Sequence, residues 1–389
     1  MNIFMTGVTG FLGGEILVEL AKRSDIKKIY CLVRAKNEEI ALVRLKKVFN
    51  LHNDAFDPDK IIPVTGELSD DNLADKLISN NKLNNIEIII HCAANTSFSK
   101  IYDSQVEKIN IGGTIQLLEW AKTLKVLNYF TYVGTASICG TKIKDSIITE
   151  DMSPDLTSKH LVKYSYTKMA GELLLKKYLP EEKILVVRPS IIMGDSRPWV
   201  PRSNVILWAL ATFNELRLFP SNAHSNIDII SIDYAARGII ELLFNTRRKY
   251  NVYHISSGKS SVTNPEKVTN AIKDYYPDKP DFKFVTKGLL SDMKKWSKNV
   301  ALIDEHSNLH QYSDYLDYWI DNFGDNSKLR ILFYALEPYI GFIDLGQTFD
   351  NTRLLEDTNI GNSIPAHEYL RNSAKHIGSI NIFEGAIDP

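Results

Sequence analysis

Three observations predict an α/β fold in which a doubly wound parallel sheet precedes a mostly helical C-terminal substrate-binding region. Short β-branched runs alternate with amphipathic stretches up to about Ser190, the rhythm of parallel strands joined by crossover helices. The first run passes directly into Gly7-Val8-Thr9-Gly10-Phe11-Leu12-Gly13 and a helix-forming stretch. Far downstream, Tyr164-Ser165-Tyr166-Thr167-Lys168 sets a phenol and an ammonium four residues apart.

In chain order, strands are expected at Asn2–Met5, Ile29–Val33, Ile61–Val64, Ile86–His91, Tyr129–Val133 and Ile184–Val187, with helical segments such as Gly14–Arg23 and Val106–Leu124 between them. Right-handed crossovers then place the strand ends on one sheet edge, where ligands bind in such folds. This Rossmann-type unit is expected over residues 1–195, with returns at about 226–258. The stretch Asp195-Ser196-Arg197-Pro198-Trp199-Val200-Pro201 reads as a loop, and Asn226–Ile240 and Tyr250–Ser256 read as returns to the sheet. Residues 196–225 and 259–389 are left as a cap, whose Trp296, Tyr312, Tyr315, Tyr318 and Trp319 are expected to shape a substrate cleft. Leu329–Leu345, with Phe333, Tyr334, Tyr339 and Phe342, reads as core packing, an acyl tunnel or membrane contact being the alternatives.

Composition narrows the function. A net charge of -1 over 389 residues does not suit a nucleic-acid binder. No apolar run reaches the ~18 residues of a membrane span. The longest, Val205–Phe219 and Ile331–Leu345, are broken by Glu215 and Arg217 and by Glu337 and Pro338. The first strand begins almost at Met1, leaving no room for a signal peptide. Cys31, Cys92 and Cys139 have neither disulfide nor metal-ligand spacing. A cytoplasmic protein without a metal is expected.

The glycine loop points to a dinucleotide. Gly7 allows the turn that leaves the strand, Gly10 lets backbone approach a pyrophosphate, and Gly13 lets the helix pack close to the sheet, with phosphates over the helix N-terminus. Sites for NAD usually carry an acid at the end of the second strand to hold the ribose hydroxyls. Here the strand ends Cys31-Leu32-Val33-Arg34, with Lys36 and Arg44 following. Guanidinium groups match a phosphate, so NADPH is the expected cofactor. After the fourth strand, His91-Cys92-Ala93-Ala94-Asn95 offers small residues beside an adenosine ribose and pyrophosphate, with His91 itself read as a core or strand-end residue.

Tyr164 and Lys168 share a helix face. A nearby ammonium is expected to bring the phenol down toward the working range and to hold the nicotinamide ribose. Tyr166, offset by two positions, faces elsewhere. Thr135, just past the fifth strand, is the expected third donor toward an oxygen gaining charge, with Ser137 as its rival. Cys139 has no activating base beside it, which argues against a covalent thioester.

With these motifs assembled, the chain resembles the extended short-chain dehydrogenase/reductases, and among them the thioester reductase and fatty acyl-CoA reductase (male-sterility-type) group. The resemblance rests on Thr6 to Gly13 (with Thr9, Phe11 and Leu12), Leu32-Val33-Arg34-Ala35, Ala41–Leu45 with Arg44, and His91 to Ala94. It continues through Asn110-Ile111-Gly112-Gly113-Thr114, Thr135, Tyr164 and Lys168, Arg188-Pro189-Ser190-Ile191-Ile192-Met193-Gly194, Ile232-Asp233-Tyr234 and Tyr253 to Gly258, about two thirds of the chain. It implies reduction of a CoA- or carrier-bound acyl thioester by NADPH to an aldehyde, in some members onward to an alcohol, with Thr135, Tyr164 and Lys168 stabilising the oxyanion. It also implies that Pro189 and Ser190 border the nicotinamide, that Glu67 and Leu68 lie near the adenine, and that Asn110 and Ile191 belong to the cofactor set. Three positions depart from the group: Glu67 where Asp is usual, Gly134 where serine often precedes the threonine, and Arg197-Pro198 in place of a small turn. Because the chain starts at the glycine loop, any carrier protein is expected in trans. A dehydrogenase or ketoreductase of a hydroxyl or ketone substrate remains an alternative. For an epimerase Arg34 counts against the reading, and for a silent NADP-binding protein the Tyr164/Lys168 pair does.

Overall fold

The computed structural model describes residues 1–152, 155–197, 206–298, 308–324 and 326–387. Seven strands form its main sheet: β1 Asn2–Thr6, β2 Lys28–Val33, β3 Ile61–Thr65, β4 Ile88–His91, β5 Tyr129–Val133, β6 Ile184–Pro189 and β7 Val252–Ile255. They lie in the order β7-β6-β5-β4-β1-β2-β3, and every neighbouring pair is parallel. The order reverses between β1 and β4, which opens a crevice at their C-terminal ends.

Both faces of the sheet are buried, as parallel strands require. Ile3 and Met5 of β1 point into one core with α1 (Phe11–Ala21), while Phe4 points into the other with Trp120 and Phe130. The remaining helices that position the cleft are α2 (Glu38–Leu51), α3 (Gly113–Ala121), α4 (Lys163–Tyr178), α5 (Leu207–Leu216), α6 (Ile232–Phe244), α7 (Asn326–Asp344) and α8 (Ile382–Ile387). Among the described residues, no helix is long and apolar enough to cross a membrane.

Several expectations need correction. Asn226–Ile240 does not return to the main sheet as strand. Only Ile229–Ile230 is extended, pairing with Ile191–Ile192 apart from that sheet, and Ile232 begins α6. There Ile232, Ala235, Ala236, Ile239, Leu242 and Leu243 are buried at helical spacing, with Asp233 in the first turn. The expected helix over Val106–Leu124 is interrupted by a π-helical turn at Lys108–Gly112. Trp296 and Trp319 do not line the cleft; with Phe333 they form the heart of a second core made by the C-terminal helices, where the Trp319 indole donates to the Leu216 carbonyl at 2.7 Å. Tyr312, Tyr315 and Tyr318 pack on the outside of that core. The expected loop residues Pro198–Pro201, and Val205, lie outside the described residues.

Candidate active site

The crevice between β1 and β4 widens into a continuous cleft of about 1040 Å³. Its inner part is built on the glycine loop. Gly7 turns with φ +76°, and a Cβ there would sit 2.6 Å from the Ala93 nitrogen; a Cβ on Gly13 would lie 2.1 Å from the Gly7 carbonyl oxygen. The tight turn therefore brings the start of α1 against the end of β1. Gly10, the N-cap of α1, provides no side-chain cap, so the first-turn N–H groups are left to an anion.

A buried polar relay fixes the floor. Ala93 N–H donates to the Thr6 hydroxyl at 3.1 Å, which contacts His91 Nδ1 at 2.8 Å. His91 Nε2 meets the Thr114 hydroxyl at 3.0 Å, and Thr114 donates to the Asn110 carbonyl at 2.6 Å. Only a neutral His91 with its proton on Nε2 satisfies every member, and burial, helped by Lys168, holds its pKa well below the usual imidazole value. His91 is thus a structural strand-end residue.

Asn110 sits in the π-helical turn and does not line the cleft. Its carboxamide accepts from Asn95 N–H at 2.7 Å and donates to the Asn95 carbonyl at 3.0 Å and to the Thr167 hydroxyl at 2.9 Å. Thr167 donates in turn to the Tyr164 carbonyl at 2.9 Å. One side chain thus ties the loop after β4 to α4.

Thr6, Gly7, Thr9, Gly10, Phe11, Leu12, Gly13, Arg34, Arg44, Glu67, Leu68, Ala93, Ala94 and Asn95 line one stretch of the cleft, and Thr135, Tyr164, Lys168, Pro189, Ser190 and Ile191 line the next. Arg44 is held across the mouth of the first stretch: its guanidinium donates to the Arg34 carbonyl and, at 3.3 Å, to the Thr9 hydroxyl. Lys36 and Cys139 are not among the lining residues, whereas Ser137 is. Thr135 Oγ1 accepts from Ser137 N–H at 3.3 Å, a bond that leaves the threonine proton to point elsewhere.

The electrostatics differ from expectation. Burial lowers the Lys168 pKa to about 8, against the pull of Cys92 and Glu172. Burial also raises the Tyr164 hydroxyl, with the Cys92 thiol acting in the same direction. The lysine does not bring the phenol down here: burial dominates at both groups, and the charge of Lys168 is not among those acting on Tyr164. The Lys168 ammonium instead lies over the Tyr132 ring, 4.5 Å from its centre, and Tyr132 donates to the Lys168 carbonyl at 3.0 Å.

Beyond Tyr164 the cleft becomes aromatic and aliphatic. Phe98 stands 6.1 Å from Tyr164, 5.0 Å from Tyr339 and 5.7 Å from Phe342, ring centre to ring centre. Helix α7 is therefore divided by face: Tyr339, Phe342 and Ile343 line the cleft, Leu332, Phe333 and Leu336 fill the core, and Tyr334 is exposed.

Sequence reasoning missed Phe98, whose signal is its place in a loop leaving the ligand edge of β4. It also missed two ion networks built on buried carboxylates. Arg188 pairs with Glu172, and Arg197 pairs with Glu15 (2.8 Å) and Asp195 (2.7 Å) just behind the glycine loop. No metal-ligand cluster of His, Cys, Asp or Glu occurs among the described residues.

Known proteins match this chain in two ways. The model of the family described as male sterility protein matches residues 5–239. A Drosophila melanogaster protein assigned to the fatty acyl-CoA reductases, CG8303, is 29% identical over 344 residues, covering 77% of this chain and 63% of its own. Fatty acyl-CoA reductase 1 of Mus musculus is 27% identical over 309 residues, 68% of this chain and 58% of its own length. The chain thus spans less than two thirds of either relative. Among solved structures, the terminal R domain of the myxalamid PKS-NRPS pathway superposes with a TM-score of 0.72 at 20% identity, covering 98% of this chain and 92% of that one. UDP-glucuronic acid 4-epimerase from Bacillus cereus follows with 0.63 at 17% identity, covering 97% and 99%. These two share the fold.

Proposed function

Since the chain belongs to the male sterility protein family, within the extended short-chain dehydrogenase/reductases of the thioester and fatty acyl-CoA reductase group, we propose that this nicotinamide-dependent oxidoreductase uses NADPH to reduce an acyl thioester to an aldehyde. The observation that carries the reading is the single cleft joining the glycine loop, the Tyr164/Lys168 pair and a long apolar extension. The cradle formed by Gly7 and Gly13 and the uncapped start of α1 fit a pyrophosphate. Arg34 and Arg44, with no carboxylate at the end of β2, fit a 2′-phosphate, which supports NADPH over NADH.

When bound, the cofactor supplies a hydride to the thioester carbonyl carbon. Thr135 and Tyr164 hydrogen-bond the oxygen as it gains charge, and Tyr164 gives it a proton. Lys168, protonated below its pKa of about 8, holds the cofactor ribose. The resulting tetrahedral adduct releases a thiol and leaves the aldehyde. Phe98, Tyr339 and Phe342 keep water from this centre. The acyl group arrives on CoA or on a carrier protein acting in trans, and the three free cysteines suit a reducing cytoplasm.

The direct test follows NADPH absorbance and thiol release together across a panel of acyl-CoA and carrier-bound thioesters. Equal loss of NADPH and gain of thiol supports aldehyde formation, and two NADPH per thiol shows onward reduction to alcohol. Oxidation of NADPH by ketones or aldehydes alone, with no thiol from any thioester, would overturn it.

A further inference from the structure

We infer that the stacked rings of Phe213 and Phe219 form the end wall of the acyl-binding part of the cleft and set the length of chain it accepts, an inference that rests on the thioester reading above. Every cleft-lining residue between positions 206 and 268 is apolar. A ligand entering there finds no side-chain partner for amides or hydroxyls, so the matching chemistry is an aliphatic chain.

Two walls lead from the catalytic residues to that end. Helix α5 contributes Ala209, Leu210 and Phe213, which share one face at positions i, i+1 and i+4. Opposite it, Ile191, beside the Pro189–Ser190 segment, is paired with Ile229, and Ile227 follows two residues away on the same face. The exposure of the lining residues differs sharply. Tyr102, which lines the cleft beside the catalytic stretch, is 41% exposed, whereas Phe213 and Phe219 are 3% and 4% exposed. The buried pair is the closed end.

That end is also stiff. The Phe213 and Phe219 rings stack with centres 3.8 Å apart and planes 14° apart, and Phe284 backs Phe219 at 5.5 Å. Between them the chain reverses at Arg217, whose φ is +62°. Its guanidinium donates to the Asn214 carbonyl at 2.8 Å and covers the Phe282 ring at 4.4 Å. Leu218–Phe219 is then fixed by pairing with Lys283–Phe284. Flanked by Phe213 and Phe284 on a paired strand, the Phe219 ring has little room to swing aside for a longer chain.

The experiment measures kcat/KM across straight saturated acyl-CoA thioesters. In the unmodified protein it should climb by about fourfold per buried methylene and then break. Phe213→Ala, with Phe213→Leu as the gentler variant, should carry the climb to longer chains, and Ala209→Phe should end it earlier. A break at the same length in all four proteins overturns the assignment. A parallel series, displacement of a fluorescent fatty-acid analogue from the NADP⁺-loaded protein by free saturated fatty acids, reads length without turnover. Displacement that shifts with these variants while no thioester reacts keeps the end wall and removes the thioester reading; turnover with no shift in either series removes the end wall alone.

Discussion

The Arg188 guanidinium grips the Glu172 carboxylate with two hydrogen bonds, 3.0 Å from Nε and 2.6 Å from Nη2. Arg188 ends at the doorstep of Pro189 on β6, and Glu172 lies one turn beyond Lys168 on α4. The pair is buried, and Arg188 also donates to the Glu150 carbonyl at 3.2 Å. It locks the strand that leads to Ser190 onto the helix that presents Tyr164 and Lys168.

Removing one partner of this pair leaves a buried charge uncompensated. Arg188→Ala should cost about 3–5 kcal/mol of stability. Thermal and denaturant unfolding measure it, and a loss below about 1 kcal/mol, the range of an exposed pair, would contradict the buried geometry.

Cofactor choice should follow the two arginines. Replacing Arg34 and Arg44 together by alanine should weaken NADPH binding by about tenfold to a hundredfold, from the loss of charge-assisted contacts, and leave NADH affinity where it was. Fluorescence titration with both cofactors decides. Equal weakening for the two would mean that Arg44 serves the glycine loop, through Thr9, rather than a phosphate.

Tyr164→Phe removes the proton donor but keeps the ring against Phe98. Turnover should fall by about 10²–10⁴ while NADPH still binds. Activity that survives this change places the chemistry elsewhere in the cleft.

The Lys168 charge gives a pH signature. Its pKa is about 8 in the folded protein against an ordinary 10.5, so the ammonium needed for turnover is present below about pH 8 and lost above it. The ratio kcat/KM, which reports the free enzyme, should therefore fall as pH rises through about 8, and Lys168→Arg should abolish that limb. Stability moves the opposite way. Between about 8 and 10.5 the unfolded chain binds a proton that the folded one has shed, so the lysine's contribution makes the fold more stable as pH rises across that window.

Gly13→Ala tests the cradle. Its Cβ would meet the Gly7 carbonyl oxygen at 2.1 Å, so the turn must open and dinucleotide binding should disappear. Unchanged NADPH affinity in this variant would show that the loop is not the pyrophosphate seat.

Much of this was legible in the residues because it is local. A parallel strand buried on both faces is a β-branched run, and Ile29–Val33 or Ile184–Val187 can hardly be anything else. The glycine loop and the Tyr164/Lys168 spacing are equally short-range. Ile232–Phe244 misled because its isoleucines satisfy a strand as well as a helix; only the positions of Ala235, Ala236 and Leu243 separate the two periods. Partners distant in sequence leave no such trace. Nothing near Glu172 announces Arg188, nothing near Glu15 announces Arg197, and Phe213 gives no hint that Phe219 folds back on it. The balance of burial against charge at Lys168 likewise depends on what surrounds it.

The aromatic bridge from Tyr164 through Phe98 to Tyr339 also joins segments far apart in the chain. The strands of the sheet, the glycine loop and α4 all precede α7 along the chain. That helix supplies Tyr339 and Phe342, which meet Phe98 and so wall the cleft beyond Tyr164. The nucleotide crevice and the dry wall of the reaction chamber thus come from opposite ends of the chain, and the second cannot exist without the C-terminal helices.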